Sequence, residues 1–375
     1  MRVESLELAN FRNYAALRFE PPEGACILVG RNAQGKSNVL EALALLALGK
    51  SFRAVRESDL IRLDAPAASV TARVRTRAGS ATAGCVITRA GEGARKRFLR
   101  DGRSVSYGNF LGGIMAVTFV PADLALVTGP ASLRRRLLNA ALSQIDRGYY
   151  RDLAAYAKVL AQKNAFLKSP DAGDRALLAT YNAQVVDIGA RLVSARMAYV
   201  RRLAHDARIA HARWVNGAGE LEVTYAPSPF QDAETTDAVS ACLAGALEQL
   251  APAEAARRVS LVGPHRDDLA LSLGGRPLAR YGSQGQQRTA VLAIKAAEYA
   301  LAHAAAGEAP LLLLDDVLSE LDEERRTAFL SSIAGFEQAF ITATHVSDVA
   351  LGMPHRVIRV SAGRLVDAPA HAISA

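Results

Sequence analysis

The apolar run Cys26-Ile27-Leu28-Val29 leads directly into Gly30-Arg31-Asn32-Ala33-Gln34-Gly35-Lys36-Ser37, and a helical stretch follows to about Leu48. No other feature constrains the fold as much. The segment fits GxxxxGK[ST] in full, with the strand before it and the helix after it that give the pattern meaning. A turn of this kind sits at the carboxyl end of a strand in an open, largely parallel sheet, so the chain is expected to be α/β. The backbone amides from Gly30 to Gly35 would cradle phosphates, and Lys36 would reach the β and γ oxygens. The Ser37 hydroxyl would ligate Mg²⁺, which makes a nucleoside triphosphate with Mg²⁺ the expected ligand. A chance glycine-rich loop is the alternative, disfavoured by the CILV strand and the amphipathic helix expected behind the loop.

A second strand completes this picture. Leu311-Leu312-Leu313-Leu314 reads as a central strand buried on both faces, ending in Asp315-Asp316. At that end Asp315 would hold Mg²⁺ through water, and Asp316 would orient or deprotonate the attacking water. The plainer reading is an acidic N-cap for the next helix. Beyond lie Ser319-Glu320-Leu321-Asp322 and a further strand that ends near Thr342-Ala343-Thr344-His345. A neutral His345 imidazole there could hydrogen-bond a γ-phosphate oxygen. Ser283-Gln284-Gly285-Gln286 raises a separate question, because a small amide-rich turn opening a helix is also an anion site. One chain thus carries two such turns.

The 375 residues are half hydrophobic, enough for one large or two ordinary domains. A net charge of +8 favours a polyanionic partner such as nucleic acid or an anionic membrane surface. A GC-rich genome favouring Ala and Arg codons would produce the same balance. Cys26, Cys85 and Cys242 have no paired spacing, which argues against a disulfide framework or a zinc site and suits a reducing cytosol. The opening MRVESLELANFRNY reads as a strand, not a signal peptide. The apolar runs are too short to span a bilayer, so a cytoplasmic protein with no membrane partner is expected.

Short strands are expected over Val3–Leu8, Leu17–Phe19, Cys26–Val29, Ser69–Arg75, Ala81–Thr88, Lys96–Leu99 and Met115–Val120, with Asp101-Gly102 as a hairpin turn. From about Ala131 the pattern becomes helical. Leu178, Tyr181, Val185, Ile188, Leu192, Ala195 and Tyr199 form a narrow seam. A helix carrying Ile145, Leu153, Tyr156, Leu160 and Phe166 would pack on that seam as an antiparallel hairpin, turning at Ser169–Gly173. Further strands are expected over Arg258–Val262, Ala270–Leu273, Leu311–Leu314, Ala339–Thr342 and Arg356–Val360. The boundaries drawn are 1–125, 126–256 for a helical lobe, and 257–375.

Phosphate loop, SQGQ turn, LLLLDD, SELD and strand-terminal His345 resemble the motif series of ABC-type ATPases. In that resemblance Ser283, Gln284, Gly285 and Gln286 form the signature, Ser319 to Asp322 the D-loop, and His345 the switch histidine. Within the superfamily the chain looks like the RecF family: LELANFRNY, GKSFR, FVPADLALV, LVGPHRDDL, SQGQQRT and LLLLDDVLSELD all fit, from residue 6 to 345. The implied fold is an ABC-type P-loop head of mixed sheets and flanking helices, with a helical lobe bearing a short antiparallel hairpin at 145–214.

The resemblance also implies a function. An ATP-dependent homodimer is expected, in which the signature of one copy meets the γ-phosphate held by the other, and this accounts for the two anion turns. Such a dimer would bind gapped or single-strand/duplex junction DNA. It would act with RecO- and RecR-like partners to place RecA, in repair, replication and the SOS response. Two departures stand out. Asp316 replaces the Glu of transporter heads, which implies slow, DNA-stimulated hydrolysis, and no Gln marks the Q-loop, where Asp123 stands instead. Candidate DNA contacts are Arg134, Arg135, Arg201 and Arg202, with solvated helix faces as the alternative. The rivals are a transporter ATPase subunit, a small-molecule kinase, and a DNA scaffold that binds ATP without hydrolysing it.

Overall fold

The computed structural model describes residues 1–215, 219–229, 233, 235–321, 323–333, 335–345 and 355–367. Its chain contacts separate into two compact units: Met1–Asp123 with Glu298–Ala375, and Leu124–Ala297. The first cut falls close to residue 125. The second lies at 297/298, later than the boundary drawn near 256, because the segment after 257 pairs and packs with the helical unit.

The first unit holds two sheets. Strands β1 (Arg2–Phe11), β2 (Tyr14–Phe19), β4 (Ala67–Thr76), β5 (Gly79–Ala90), β6 (Gly93–Arg100) and β7 (Arg103–Val105) make an antiparallel sheet in the order β2-β1-β4-β5-β6-β7. In β4 buried Ala68, Val70, Ala72 and Val74 alternate with outward residues, as expected where one face covers a core. Asp101-Gly102 forms the expected two-residue turn, with both residues at positive φ (50° and 75°) and Arg100 opposite Arg103. The second sheet contains β3 (Gly24–Val29), β8 (Ala116–Phe119), β12 (Leu311–Asp315), β13 (Gln338–Ala343), β14 (His355–Ser361) and β15 (Arg364–Asp367), in the order β15-β14-β3-β13-β12-β8. All its pairings are parallel except β14 with β15.

Helix α1 spans Lys36–Leu48. It is not the amphipathic helix expected from the sequence: Val39 through Ala47 are all buried, on every face. The cause is its position between the two sheets, touching β4 and β5 on one side and β8, β12 and β13 on the other. The short helix α2 (Tyr107–Phe110) and the end of the chain's long α9 (Gln284–Ala306) also belong here, with α10 (Glu323–Ser332).

The second unit contains α3 (Ala125–Thr128), α4 (Ala131–Ile145), α5 (Arg147–Phe166), α6 (Arg175–Trp214), α7 (Thr236–Arg257), α8 (Leu278–Tyr281) and the first part of α9. A three-stranded sheet, β11 (Arg276–Pro277), β10 (Asp268–Leu273) and β9 (Leu221–Ala226), completes it. The antiparallel hairpin of α5 and α6 forms as expected, turning through Pro170–Gly173. Ile145, however, ends α4; Asp146 then caps α5 by accepting from the Gly148 N–H at 2.7 Å. The seam on α6 is broader than read, because α7 and β9 pack on it as well as α5, so Ala190, Val193 and Val200 are buried beside Val185 and Leu192. Arg258–Val262 is not a strand. Arg258 takes the left-handed conformation (φ 53°) as the C-cap of α7, and an irregular loop follows to Asp268.

Candidate functional site

Three adjacent parallel strands bring the nucleotide motifs to one edge. Asp315 on β12 lies opposite Thr342 on β13, and Thr342 opposite Leu28 on β3. At about 4.8 Å per strand, Asp315 is about 10 Å from the strand that feeds the phosphate loop. The Gly30 N–H reaches Ala343 O at 3.4 Å, so the loop leaves the sheet beside the end of β13. His345 stands two residues beyond that end, exposed. Such a convergence at carboxyl ends of strands is where open α/β sheets take ligands.

The loop is held from several sides. Tyr14 Oη donates to Gly35 O at 3.1 Å and Asn13 Nδ2 to Gln34 O at 2.9 Å, while Asn38 Nδ2 donates to Asn13 Oδ1 at 2.7 Å. The turn after β14 adds two more bonds, Ala362 N–H to Gln34 Oε1 at 2.7 Å and Gly363 N–H to Gln34 O at 3.0 Å. Two glycines are required by geometry. A Cβ on Gly30 would lie 2.3 Å from Val360 O, and Gly35 sits at φ 115° with the Asn13 side chain 2.8 Å from where its Cβ would be. Arg31, Asn32 and Ala33 form the exposed crest of the loop, Ala33 at φ 65°. Lys36 is only 5% exposed, and its ammonium donates to Gly30 O at 2.6 Å and Arg31 O at 3.3 Å. Its Nζ is therefore already drawn to the loop mouth. Ser37 begins α1, half-buried.

Thr342 joins the two aspartates. Its hydroxyl donates to Asp315 Oδ1 and accepts from the Asp316 N–H, each at 2.9 Å. Asp315 is buried at 6% exposure. Asp316 has a left-handed φ of 58°, an unusual conformation for a residue other than glycine, and the next turn is closed by Ser319 Oγ donating to Asp316 O at 2.9 Å. Asp322 lies outside the described residues. Asp123 caps the turn after β8, its carboxylate accepting from the Val120 N–H at 2.9 Å.

The sequence reading assigned no role to the cluster beside α1. Glu41, fully buried, accepts from Arg12 at 2.6 and 2.8 Å, from Arg53 at 3.0 Å, and from the Ser51 hydroxyl. Burial alone would raise its pKa, but the hydrogen bonds and charges of Arg12, Ser51 and Arg53 outweigh it and hold the carboxyl below its ordinary value. The FRNY and GKSFR stretches carried these residues without revealing that they converge.

In the second unit, Ser283 and Gln286 form a reciprocal capping box at the start of α9. The Gln286 side chain accepts from the Ser283 N–H at 2.8 Å, and the Gln286 N–H reaches Ser283 Oγ at 3.3 Å. Gln287 ties the turn to Gly282 O at 3.0 Å. Gln284 and Gly285 thus occupy the amide-rich first turn of a long helix, the arrangement that suits an anion.

GPHRDD (263–268) is a structural hub. Asp267 is 1% exposed and accepts from the Ser228 N–H at 2.9 Å and from Tyr225 Oη, with Arg196 3.6 Å away. Arg196 donates to Tyr149 Oη at 2.9 Å, Pro264 O at 2.7 Å and Asn139 Oδ1 at 2.9 Å. His265 Nδ1 pairs with Tyr156 Oη at 2.8 Å and Nε2 with Ser260 O at 3.2 Å. Two of the candidate DNA contacts belong to this hub. Arg134 grips Asp268 with both arms of its guanidinium, at 2.6 and 2.8 Å, and Arg135 donates to Asp267 O at 2.6 Å. Sequence could not distinguish these tethers from surface cations, since all three of Arg134, Arg135 and Arg136 share one helix turn. Arg201 and Arg202 are exposed on α6.

A family model described as the RecF/RecN/SMC N terminal domain matches residues 2–364. A protein of Symbiobacterium thermophilum named DNA replication and repair protein RecF is 40% identical over 374 residues, covering 98% of both chains. The chain belongs to the RecF family. A relative of the same name from Staphylococcus aureus is 36% identical and is covered in full. Among solved structures, one described as the recombination mediator protein RecF-ATP in the RecFOR pathway superposes with a TM-score of 0.89 at 30% identity, covering 98% of this chain and 97% of the other. An SMC head, at 15% identity and a TM-score of 0.53, shares the fold of RecF-family heads and supports nothing further. The ABC-type head read from the sequence is therefore the fold of this chain. None of these similarities favours a transporter subunit, and among the described residues no helix is long and apolar enough to cross a membrane.

Proposed function

We propose that this chain is an ATP-switched DNA-binding protein of replication and recombinational repair. The observation that carries the reading is the register that sets Asp315, Thr342 and the phosphate loop at the ends of three adjacent parallel strands. It occurs in a chain that a RecF-ATP structure covers almost completely.

The residues fit ATP and Mg²⁺. Gly30 and Gly35 leave the space that a Cβ would fill, and Lys36 Nζ can trade its bonds to Gly30 O and Arg31 O for phosphate oxygens. Ser37 and Asp315 supply hard oxygen donors. Among the described residues no cluster of three His, Cys, Asp or Glu suits a metal, so a divalent ion here would depend on phosphate oxygens and water as well. Bound Mg²⁺ would draw charge from the β and γ oxygens. Asp316 would align the attacking water and His345 would steady the γ-phosphate. The short Asp316 side chain suits slow turnover and a long-lived ATP state.

In this reading the first turn of α9, with Ser283, Gln284, Gly285 and Gln286, meets the γ-phosphate held by Lys36 of a second copy. The nucleotide then stabilises the dimer and its hydrolysis releases it. The closed dimer binds gapped or junction DNA through phosphates, acts in the cytoplasm with RecO- and RecR-like proteins, and helps place RecA.

Sedimentation of the wild type and of Ser283→Arg, with and without ATP and Mg²⁺, tests the reading. The wild type should dimerise with ATP. Ser283→Arg should stay monomeric while binding ATP normally, and Asp316→Asn should give a longer-lived dimer. An ATP-saturated wild type that remains monomeric would remove the shared site.

A further inference from the structure

Where the α5–α6 turn meets the last turns of α7, the second unit has a cleft of about 510 Å³. Its lining mixes polar and apolar surface, the apolar part coming from Leu167 and Leu178 of the hairpin and from Ala251 and Ala255 of α7. Its rim is cationic, with exposed Lys168 on one side and exposed Arg258 on the other. Among the described residues that line it the carboxylate is Glu254, and that charge is neutralised internally. Glu254 is 2% exposed and accepts from the fully buried Lys163 ammonium at 2.7 Å, while its second oxygen takes the Leu261 N–H at 2.7 Å and the Ser260 hydroxyl at 3.1 Å.

Two further observations point outward from the same place. Arg258 holds φ 53°, with its N–H bonded to Glu254 O, at a helix C-cap position that glycine or asparagine usually fills. This backbone conformation is reached by an arginine whose guanidinium is then left at the rim. Val259 and Leu177, each next in sequence to a lining residue, are 36% and 39% exposed.

We propose that this cleft docks a segment of a partner protein in which an apolar side chain is flanked by carboxylates. The volume suits one or two large side chains, since sites for small ligands begin at about 300 Å³. Anchors seated in an apolar pocket carry most of an interface's energy, and charge complementarity at the rim selects the partner. A phosphate backbone has no apolar tip to fill Leu167, Leu178, Ala251 and Ala255. A peptide's apolar side chain can use that part of the lining, which favours a peptide over DNA.

The test is fluorescence anisotropy with the full chain and an array of labelled acidic peptides, each with a single central Leu, Ile, Phe or Trp. A matching peptide with a central Ser and a short duplex oligonucleotide serve as competitors. Arg258→Gly keeps the left-handed backbone at no steric cost, so its thermal midpoint should not fall. It should weaken peptide binding about fivefold. Ala255→Trp crowds the lining on the α7 side without changing charge and should abolish binding. Failure of every peptide to bind, equal competition by the Ser peptide or by DNA, or binding unchanged in both variants would each overturn the proposal.

Discussion

His265 offers a test of the GPHRDD hub. Burial, with the charges of Arg266, Arg135 and Lys163, pushes its pKa from 6.5 down to about 4, against the raising effect of its bond to Ser260 O. The neutral ring fits its partners, with Nε2–H donating to Ser260 O and Nδ1 accepting from Tyr156 Oη. The unfolded chain therefore binds this proton more tightly than the folded one. The histidine's penalty on stability is absent above the unfolded value, grows as pH drops through the window from 6.5 to 4, and levels off below it. From pH 6.5 to pH 5 the imbalance approaches one proton over about 1.5 pH units, at about 1.4 kcal/mol per unit, which gives about 2 kcal/mol as an upper figure. With the ring part-exposed, about 1–2 kcal/mol is expected. His265→Gln preserves one donor and one acceptor but does not titrate. Urea unfolding followed through Trp214, the chain's one tryptophan and part of α6, reads the helical unit directly. Between pH 7 and pH 5 the wild type should lose about 1–2 kcal/mol more than His265→Gln. Parallel losses in the two proteins, or an imidazole that titrates near its ordinary value by NMR, would refute the reasoning.

Four other outcomes follow from the structure. Glu254→Gln should destabilise the helical unit by about 3 kcal/mol in urea melts, because it strands the buried Lys163 ammonium; adding Lys163→Met should restore much of that loss. Arg134→Ala should lower stability by about 1–2 kcal/mol while leaving the salt dependence of DNA binding unchanged, since its guanidinium is committed to Asp268. The pair Arg201→Ala and Arg202→Ala should flatten that salt dependence by about one to two in log–log slope, with no loss of stability. Gly30→Ala should weaken ATP binding about tenfold or more by calorimetry, because the added Cβ meets Val360 O and displaces the loop.

Much of the candidate site's local structure was legible because it is encoded over short stretches. The spacing of Gly30, Gly35, Lys36 and Ser37 encodes a turn between a strand and a helix, and four leucines before Asp315 encode a doubly buried strand. Asp101-Gly102 encodes its own hairpin for the same reason, as both residues tolerate positive φ. Long-range partners were not legible. Nothing near Glu41 in sequence reveals that Arg12 and Arg53 meet it, and nothing near Asp267 reveals Tyr225 or Arg196. Helix α1 shows the limit in the other direction, for it was read as amphipathic although it lies between two sheets and is apolar all round.

The sequence by itself determined the turn that joins β3 to α1 and the strand end at which Asp315 stands, because those facts follow from backbone periodicity and turn chemistry over about ten residues. The tertiary structure alone decided which arginines face solvent. Arg134, Arg135, Arg201 and Arg202 are the same side chain on helices of similar character. A guanidinium becomes a tether or a free cation according to whether a distant carboxylate or carbonyl comes within about 3 Å. That depends on how β10 and the GPHRDD loop return to α4 and α6, more than a hundred residues after α4.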